Sequence, residues 1–170
     1  MPHIPATDLT DSPLLFIDTA GAGWEEEPEP DGESRRNTQE GKLVLRLAEQ
    51  LCAAGLQPGA IAIIAPYAAQ VRWLREHCQE RQIEIDTVDG FQGREKEAVI
   101  ISLVRSNSIG EIGFLGDTRR MNVALTRARR KLIVIGDSAT LGGHAFYGGL
   151  LEYFETHAAY RTVWEEQFAL

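Results

Sequence analysis

The sequence predicts a layered α/β fold with a mostly parallel β-sheet. Apolar runs rich in β-branched residues, at 61–65, 98–104 and 132–135, are typical of strands that are covered on both faces. Amphipathic segments, whose apolar residues recur at helical spacing, lie between them. This alternation favours parallel strands joined by crossover helices. The length of 170 residues, 44% of them hydrophobic, suits one domain with a substantial core.

The strands are bounded by turn residues and by changes of periodicity. Five are expected in chain order, at residues 14–18, 61–65, 83–85, 98–104 and 132–135. Helices are expected between and after them, the first beginning at residues 34–37 and ending at Gly55, the others at 68–78, 119–129 and 149–157. Ligands bind at the carboxyl ends of the strands in such sheets, so the loops after strands are the informative ones.

The domain organisation follows from composition. Residues 13–158 are expected to form the domain, with an N-terminal extension at 1–12 and a C-terminal tail at 159–170. Residues 24–33 hold several acids around two prolines, and we expect them to be a mobile acidic loop that does not pack.

Charge is unevenly distributed along the chain. The net charge is −8, yet residues 119–131 contain six bases and no acid, which predicts a local positive site. No apolar run approaches the ~20 residues of a membrane helix, and residues 1–10 do not resemble a secretory signal. The two cysteines, Cys52 and Cys78, fit buried reduced thiols in a cytoplasmic protein.

The basic segment is the most specific chemical feature. If residues 119–129 form one helix, Arg120 and Arg127 project from the same face about 10 Å apart and suit phosphate oxygens. The alternative is a solvated basic face that pairs with acids elsewhere. The chain has no G-x-x-x-x-G-K-[ST] loop, so it has no obvious phosphate cradle of its own.

Two further features leave alternatives open. The loop at 86–97 holds four carboxylates, as a metal-dependent nuclease would need, but Arg94 and Lys96 would neutralise them. His77 and His144 have no partners at metal-ligand spacing, and we expect no metal site in this chain. Tyr67, after a strand, could stack on a nucleic-acid base or close the core.

Three stretches together resemble the superfamily 1 helicases. IAPYAAQ at 64–70 resembles their P-Y-x-x-Q motif, and TVDGFQGRE at 87–95 resembles their motif V. RRMNVALTRAR at 119–129 resembles their motif VI. Order and spacing are similar to those of the branch that contains the up-frameshift RNA helicase and the immunoglobulin-mu-binding helicase. Residues 13–21 and the pair Asn37 and Glu40 look most like the second of these.

The resemblance implies a three-layer RecA-like domain, the second of two motor domains and the one without the Walker A loop. ATP would lie between the two domains, and the first domain would hold Mg²⁺. Motif VI implies that Arg127 is the arginine finger, which stabilises charge on the transferred phosphoryl group. Motif V implies that Glu95 contacts the ribose and that Gly93 lets the backbone approach the nucleotide. Arg120 is a second candidate phosphate ligand.

The resemblance also implies a track for single-stranded DNA or RNA, contacted mostly through phosphate and sugar. By position, Pro66, Tyr67, Thr87 and the loop of Arg105, Ser106 and Asn107 are expected there. Some relatives carry an arginine directly after the asparagine equivalent to Asn37. Here Thr38 stands at that position and Arg36 precedes the asparagine, so Asn37 and Arg36 become candidates for nucleotide binding.

The expected function is therefore the C-terminal motor domain of an ATP-dependent helicase. Alone, without the first RecA-like domain as partner, the chain is expected to hydrolyse no ATP. No membrane partner is expected. A stand-alone binding module with the same fold and no ATPase activity is the alternative.

Overall fold

The computed structural model describes residues 13–30, 32, 34–91 and 94–168. The extension at 1–12 lies outside them. The strands are β1 (Leu14–Asp18), β2 (Glu27–Pro28), β3 (Arg35–Arg36), β4 (Ile61–Ala65), β5 (Glu84–Thr87), β6 (Lys96–Ser102), β7 (Ala128–Gly136) and β8 (Tyr160–Thr162). The helices are α1 (Thr38–Ala53), α2 (Ala68–His77), α3 (Thr118–Leu125), α4 (Ser138–Leu141), α5 (Ala145–Thr156) and α6 (Val163–Phe168).

Six strands form one sheet in the order β5-β4-β6-β7-β1-β8, and every neighbouring pair is parallel. Ile63 of β4 lies opposite Ile100 of β6, which lies opposite Ile133 of β7. All five residues of β4 are buried, as expected for a strand covered on both faces. The α/β class and the mostly parallel sheet predicted from the sequence are confirmed.

Helices α1 and α2 cover one face of the sheet. Asn37 caps α1 by accepting a hydrogen bond from the backbone N–H of Glu40 at 3.1 Å, which satisfies one of the free donors of the first turn. The buried stripe of α1 contains Leu43, Leu47 and Leu51, and it packs on the isoleucines of the strands.

Helices α3 and α5 cover the opposite face. Met121 and Ala124 of α3 and Tyr147 and Phe154 of α5 pack with the strand residues that point away from α1. Because both faces are covered, the sheet is the middle of three layers. Its residues can meet solvent at the ends of the strands, where the connecting loops lie.

The structure corrects the expectation for the acidic segment. β2 and β3 pair as an antiparallel ladder, with Glu27 opposite Arg36. Three of its acids form ion pairs, Glu26 with Arg105, Glu27 with Arg36 and Glu29 with Arg72. The expectation that these acids do not pack is therefore wrong, because Glu26 and Glu29 meet arginines that are distant in sequence and Glu27 meets Arg36 across the ladder. We call residues 24–36 the acidic hairpin.

The boundary at residue 158 also needs correction. β8 pairs with β1 as the outermost strand of the main sheet, with Phe16 opposite Tyr160. Val163, which follows it, is fully buried in the core. Residues 160–168 are therefore part of the fold and not a tail.

Candidate functional site

The candidate residues lie at two ends of the central sheet. We call the end where β6 and β7 begin the amino edge, and the end where β4, β5 and β6 finish the carboxyl edge. Glu95 directly precedes β6, and the backbone carbonyl of Arg127 accepts a hydrogen bond from Lys96 N at 3.1 Å, so both lie at the amino edge. The seven residues of β6 separate the two edges by about 20 Å.

Arg127 lies in the short connection between α3 and β7. Its Nε donates a hydrogen bond to the carbonyl of Val123 at 3.2 Å, and its side chain is half-buried. Within the part of the chain that the structure describes, Arg127 forms no ion pair. No carboxylate of the described residues therefore neutralises its guanidinium.

The neighbouring arginines are paired. Arg129 contacts Glu95 at 3.1 Å and Glu97 at 3.8 Å, and Arg130 contacts Glu97 at 3.0 Å. Arg129, Arg130 and Glu95 are more than half exposed, whereas Glu97 is half-buried, and ion pairs with a largely exposed member contribute little to stability. They leave Glu95, the expected ribose contact, next to Arg129 on the surface. Gly93 lies outside the described residues.

The prediction that Arg120 and Arg127 share one helical face is wrong. Helix α3 ends at Leu125, and β7 begins at Ala128, which pairs with Lys96 of β6. The backbone of residues 128–131 bonds in the sheet instead of continuing the helix, because the apolar run that follows is a central strand. Arg120 pairs with Asp89 at 3.2 Å and Asp117 at 3.4 Å, so it is neutralised locally.

Arg120 instead lies towards the carboxyl edge. It lines a small cavity of about 30 Å³ together with Pro66, Thr87, Asp89 and Phe114. Pro66 and Thr87 are half-buried, and the Thr87 hydroxyl accepts a hydrogen bond from Gly90 N at 3.1 Å. The structure therefore groups Arg120 with the expected nucleic-acid contacts and not with Arg127.

Asn37 is buried at the carboxyl edge. Its side-chain amide donates to the carbonyls of Trp24 at 2.7 Å and Val104 at 3.2 Å, while its oxygen caps α1. Arg36 is exposed and pairs with Glu27 at 3.2 Å. Through these hydrogen bonds Asn37 connects the acidic hairpin to the residues that follow β6. Of the two candidates Asn37 and Arg36, only Arg36 faces solvent.

The loop after β6 is fixed by buried polar contacts. Arg105 is 4% exposed, pairs with Glu26 and donates from Nη1 to the Tyr67 hydroxyl at 2.9 Å. Burial alone would lower the pKa of Arg105, but the hydrogen bonds to Glu26 and Tyr67 outweigh it and raise that pKa. Ser106 donates to Asp137 at 2.7 Å and Asn107 to Glu26 at 2.7 Å.

Glu40 also helps to hold the carboxyl edge together, and the sequence pattern did not reveal this role. Its Oε1 accepts hydrogen bonds from Ser102 Oγ at 2.6 Å and Val104 N at 2.9 Å. Burial raises the pKa of Glu40 to about 7, although both hydrogen bonds act to lower it. Val104 has φ 71°, a strained value for a β-branched residue, and Glu40 and Asn37 hold its N–H and its carbonyl.

The four loop carboxylates do not converge on one point. Asp86 lies 3.6 Å from Arg75, Asp89 pairs with Arg120, and Glu95 and Glu97 pair with the arginines of β7. Among the described residues there is no group of three His, Cys, Asp or Glu side chains that could hold a metal ion. Nor does any helix in the described part of the chain have the length and apolarity needed to cross a membrane.

Comparison with known proteins agrees with the geometry. A family model described as "AAA domain" matches residues 2–139. DNA-binding protein SMUBP-2 of Rattus norvegicus is 50% identical over 167 residues, which are 97% of this chain and 17% of that protein. DNA polymerase alpha-associated DNA helicase A of Schizosaccharomyces pombe is 42% identical over 164 residues, 92% of this chain and 25% of that protein. Regulator of nonsense transcripts 1 of Dictyostelium discoideum is 38% identical over 152 residues, 84% of this chain and 11% of that protein.

A parallel six-stranded sheet between two helical layers is the architecture of a RecA-like domain. The chain belongs to the AAA-domain family that matches it, and within that family it is a helicase domain of superfamily 1, in the up-frameshift and immunoglobulin-mu-binding branch. The resemblance inferred from the three motifs is thereby confirmed. The chain spans between 11% and 25% of the length of the three relatives described above.

Proposed function

We propose that this chain is the C-terminal motor domain of an ATP-dependent helicase that acts on single-stranded DNA or RNA. Its amino edge faces a nucleotide held by a first RecA-like domain, and its carboxyl edge forms part of the track for the strand. The relatives described above carry names that refer to DNA binding, to a DNA helicase and to nonsense transcripts. These names support a nucleic-acid substrate without choosing between DNA and RNA.

The state of Arg127 is the observation that carries the proposal. Arg120, Arg129 and Arg130 each contact a carboxylate within 3.2 Å, whereas Arg127 has no such partner in the described residues. An uncompensated, half-buried guanidinium at the edge of a domain fits an anion contributed from outside. We assign it to the γ-phosphate, where it would stabilise the negative charge that develops during transfer of the phosphoryl group.

The other nucleotide contacts follow from the same edge. Glu95 is exposed beside Arg127 and fits a ribose contact, and Gly93 precedes it by two residues. ATP, bound with Mg²⁺ between the two domains, would supply the negative phosphate groups that Arg127 at this edge contacts. The carboxylates near the edge are paired with arginines, so we assign the Mg²⁺ ligands to the first domain.

In this proposal two of the candidates for nucleotide binding receive other roles, and a third becomes a weaker candidate. Asn37 is occupied by capping and by the carbonyls of Trp24 and Val104, which favours a structural role. Arg120, next to Pro66 and Thr87, is better placed for the nucleic-acid strand than for ATP. Arg36 is exposed but paired, so it is a weaker candidate for the nucleotide.

Arg127→Ala in the full-length protein tests the proposal. Because an arginine finger contributes about 10³–10⁵ in rate, we expect nucleic-acid-stimulated ATP turnover to fall by at least about a thousandfold. Binding of ATP should weaken much less, since the charge that Arg127 stabilises develops mainly in the transition state. Turnover and nucleotide affinity are measured separately, by steady-state ATPase assay and by titration with a fluorescent ATP analogue.

Arg130→Ala is the matched control, because Arg130 lies on the same edge, is exposed and pairs with Glu97. It should leave turnover within a few-fold of the unsubstituted protein. Near-normal turnover in Arg127→Ala would refute the finger assignment. Absence of ATPase activity in the unsubstituted full-length protein would favour the stand-alone binding module instead.

A further inference from the structure

One aromatic side chain at the carboxyl edge is exposed although its backbone is tightly held. Phe114 lies in the 3₁₀ turn Gly113–Gly116 that precedes α3, and it is 52% exposed. Its ring packs at a tilt of 59° on the ring of Tyr67, with the centroids 5.7 Å apart. Tyr67 itself is 2% exposed, so Phe114 and not Tyr67 is the aromatic surface available at this edge.

The turn is fixed from beneath. The Tyr67 hydroxyl accepts hydrogen bonds from Phe114 N at 3.2 Å and from Arg105 Nη1 at 2.9 Å. Gly113 has φ 53°, and a Cβ there would lie 2.2 Å from Arg105 and 2.6 Å from the Tyr67 hydroxyl. The close approach that this glycine allows holds the Phe114 backbone against Tyr67 while the outer part of the ring stays in solvent.

Phe114 forms the ridge between two concavities. A cavity of about 470 Å³ on one side is lined by Arg35, Tyr67, Arg105, Glu111 and Asp117. The small cavity described above, with Pro66, Thr87, Asp89 and Arg120, lies on the other side.

The charges in both concavities cancel. Two arginines face two carboxylates in the larger one, and Arg120 faces Asp89 in the smaller one. Such surroundings favour a flat, uncharged group over a phosphate. The volume of the larger cavity lies within the ~300–1,000 Å³ typical of small-ligand sites.

We propose that Phe114 stacks on an unpaired base of the single strand, with Tyr67 as the buried support beneath it. This inference rests on the proposed function. It adds a contact to the face of a base, whereas the expected contacts of Thr87 and Asn107 are to phosphate and sugar. Stacking of this kind is tolerant of sequence, because every base has a π-face. It also reassigns the stacking role that the sequence suggested for Tyr67.

Phe114→Ala in the full-length protein is the first test. Affinity for single-stranded oligonucleotides, measured by fluorescence anisotropy with DNA and with RNA, should fall by about 5- to 150-fold. The slope of log affinity against log salt concentration should stay unchanged, because no phosphate contact is removed. A shallower slope in Phe114→Ala would instead indicate that a phosphate contact was lost, and it would contradict the stacking contact.

A base-specific readout separates stacking from a change of shape. A strand with 2-aminopurine at the bound position should lose fluorescence on binding the unsubstituted protein and keep it on binding Phe114→Ala. One abasic site, moved along the oligonucleotide, should weaken binding by the unsubstituted protein at one position. The same abasic site should not weaken binding by Phe114→Ala any further.

Three variants serve as controls. Phe114→Trp keeps an aromatic face and should keep affinity, whereas Phe114→Leu keeps apolar bulk and should lose it. Ile109→Ala removes a residue that is 77% exposed shortly before the turn, and it should leave affinity unchanged. Normal affinity in Phe114→Ala or in Phe114→Leu overturns the stacking contact and leaves the proposed function intact. If the unsubstituted protein binds no single strand in any nucleotide state, both proposals fall together.

Discussion

The two edges of the sheet use the same residue type in opposite ways. At the carboxyl edge Arg105 is buried, and its partners Glu26 and Tyr67 come from distant parts of the chain. At the amino edge Arg129 and Arg130 are exposed and pair across adjacent strands, while Arg127 pairs with no carboxylate among the described residues. The contrast shows that the polar groups of the carboxyl edge hold distant parts of the chain together, whereas Arg129 and Arg130 at the amino edge face solvent.

The largest expected effect on stability is at Arg105. Arg105→Ala leaves Glu26 without its cation and removes one of the two donors to the Tyr67 hydroxyl in a buried setting. Breaking a buried ion pair by removing one member costs about 3–5 kcal/mol of unfolding free energy. Urea denaturation of this chain, followed by circular dichroism, measures the loss.

Arg130→Ala is the amino-edge counterpart of that change. Its pair with Glu97 is exposed, so the expected loss is below about 1 kcal/mol. Equal losses in the two variants would break the comparison, because they would show that burial does not distinguish the edges. A double variant, Arg105→Ala with Glu26→Gln, should be less destabilised than the sum of its parts, since no uncompensated charge is then buried.

A smaller effect is expected from the turn that carries Phe114. Gly113→Ala places a methyl group within 2.6 Å of both Arg105 and the Tyr67 hydroxyl, at a φ of 53° that side chains rarely adopt. Strain and overpacking together should cost about 2–4 kcal/mol. The measurement is the same denaturation experiment.

Gly116→Ala is a matched control in the same turn. A Cβ at Gly116 would meet only Ile112 Cδ1, at 3.9 Å, which is ordinary contact. We expect a change within about 0.5 kcal/mol. If both alanine variants are equally stable, the turn is not held as tightly against Tyr67 as the distances indicate.

The sheet was predictable because its signal is local. Residues 61–65 form an uninterrupted apolar run, and each of them is buried in β4. Asn37 followed by Glu40 marks the beginning of α1, and Asn37 caps that helix. Both hydrophobic periodicity and helix capping depend on residues that are close in sequence, so they can be recognised without knowledge of the fold.

The polar arrangement of the edges was not predictable in the same way. The sequence predicts one helix over residues 119–129 with Arg120 and Arg127 on the same face, yet pairing of Ala128 with Lys96 ends the helix at Leu125. The acidic hairpin packs because Arg105 and Arg72 lie far from it in sequence and near it in space. The exposure of Phe114 and the burial of Tyr67 likewise depend on tertiary contacts, which the spacing of residues in the sequence does not predict.

Glu40 makes the stability of the carboxyl edge depend on pH. Its pKa rises from an ordinary 4.5 to about 7 on folding, because burial disfavours the charged form. Between these values the folded state holds a proton that the unfolded state has released, so unfolding free energy falls as pH rises. From pH 5 to pH 8 the contribution of Glu40 should fall by about 2–3 kcal/mol.

Glu40→Gln tests this by removing the titration while keeping an oxygen that can accept from Ser102 and Val104. The difference in unfolding free energy between the variant and the unsubstituted chain should grow in favour of the variant as pH rises. Glu49→Gln, on the exposed face of the same helix, is the control for removing one negative charge from α1. If Glu40→Gln has the same pH profile as the unsubstituted chain, Glu40 is ionised without cost in the folded state. The strained Val104 turn would then be held by a carboxylate that stays charged near neutral pH, which would place a charge, and not only a hydrogen bond, beneath the Arg105 loop.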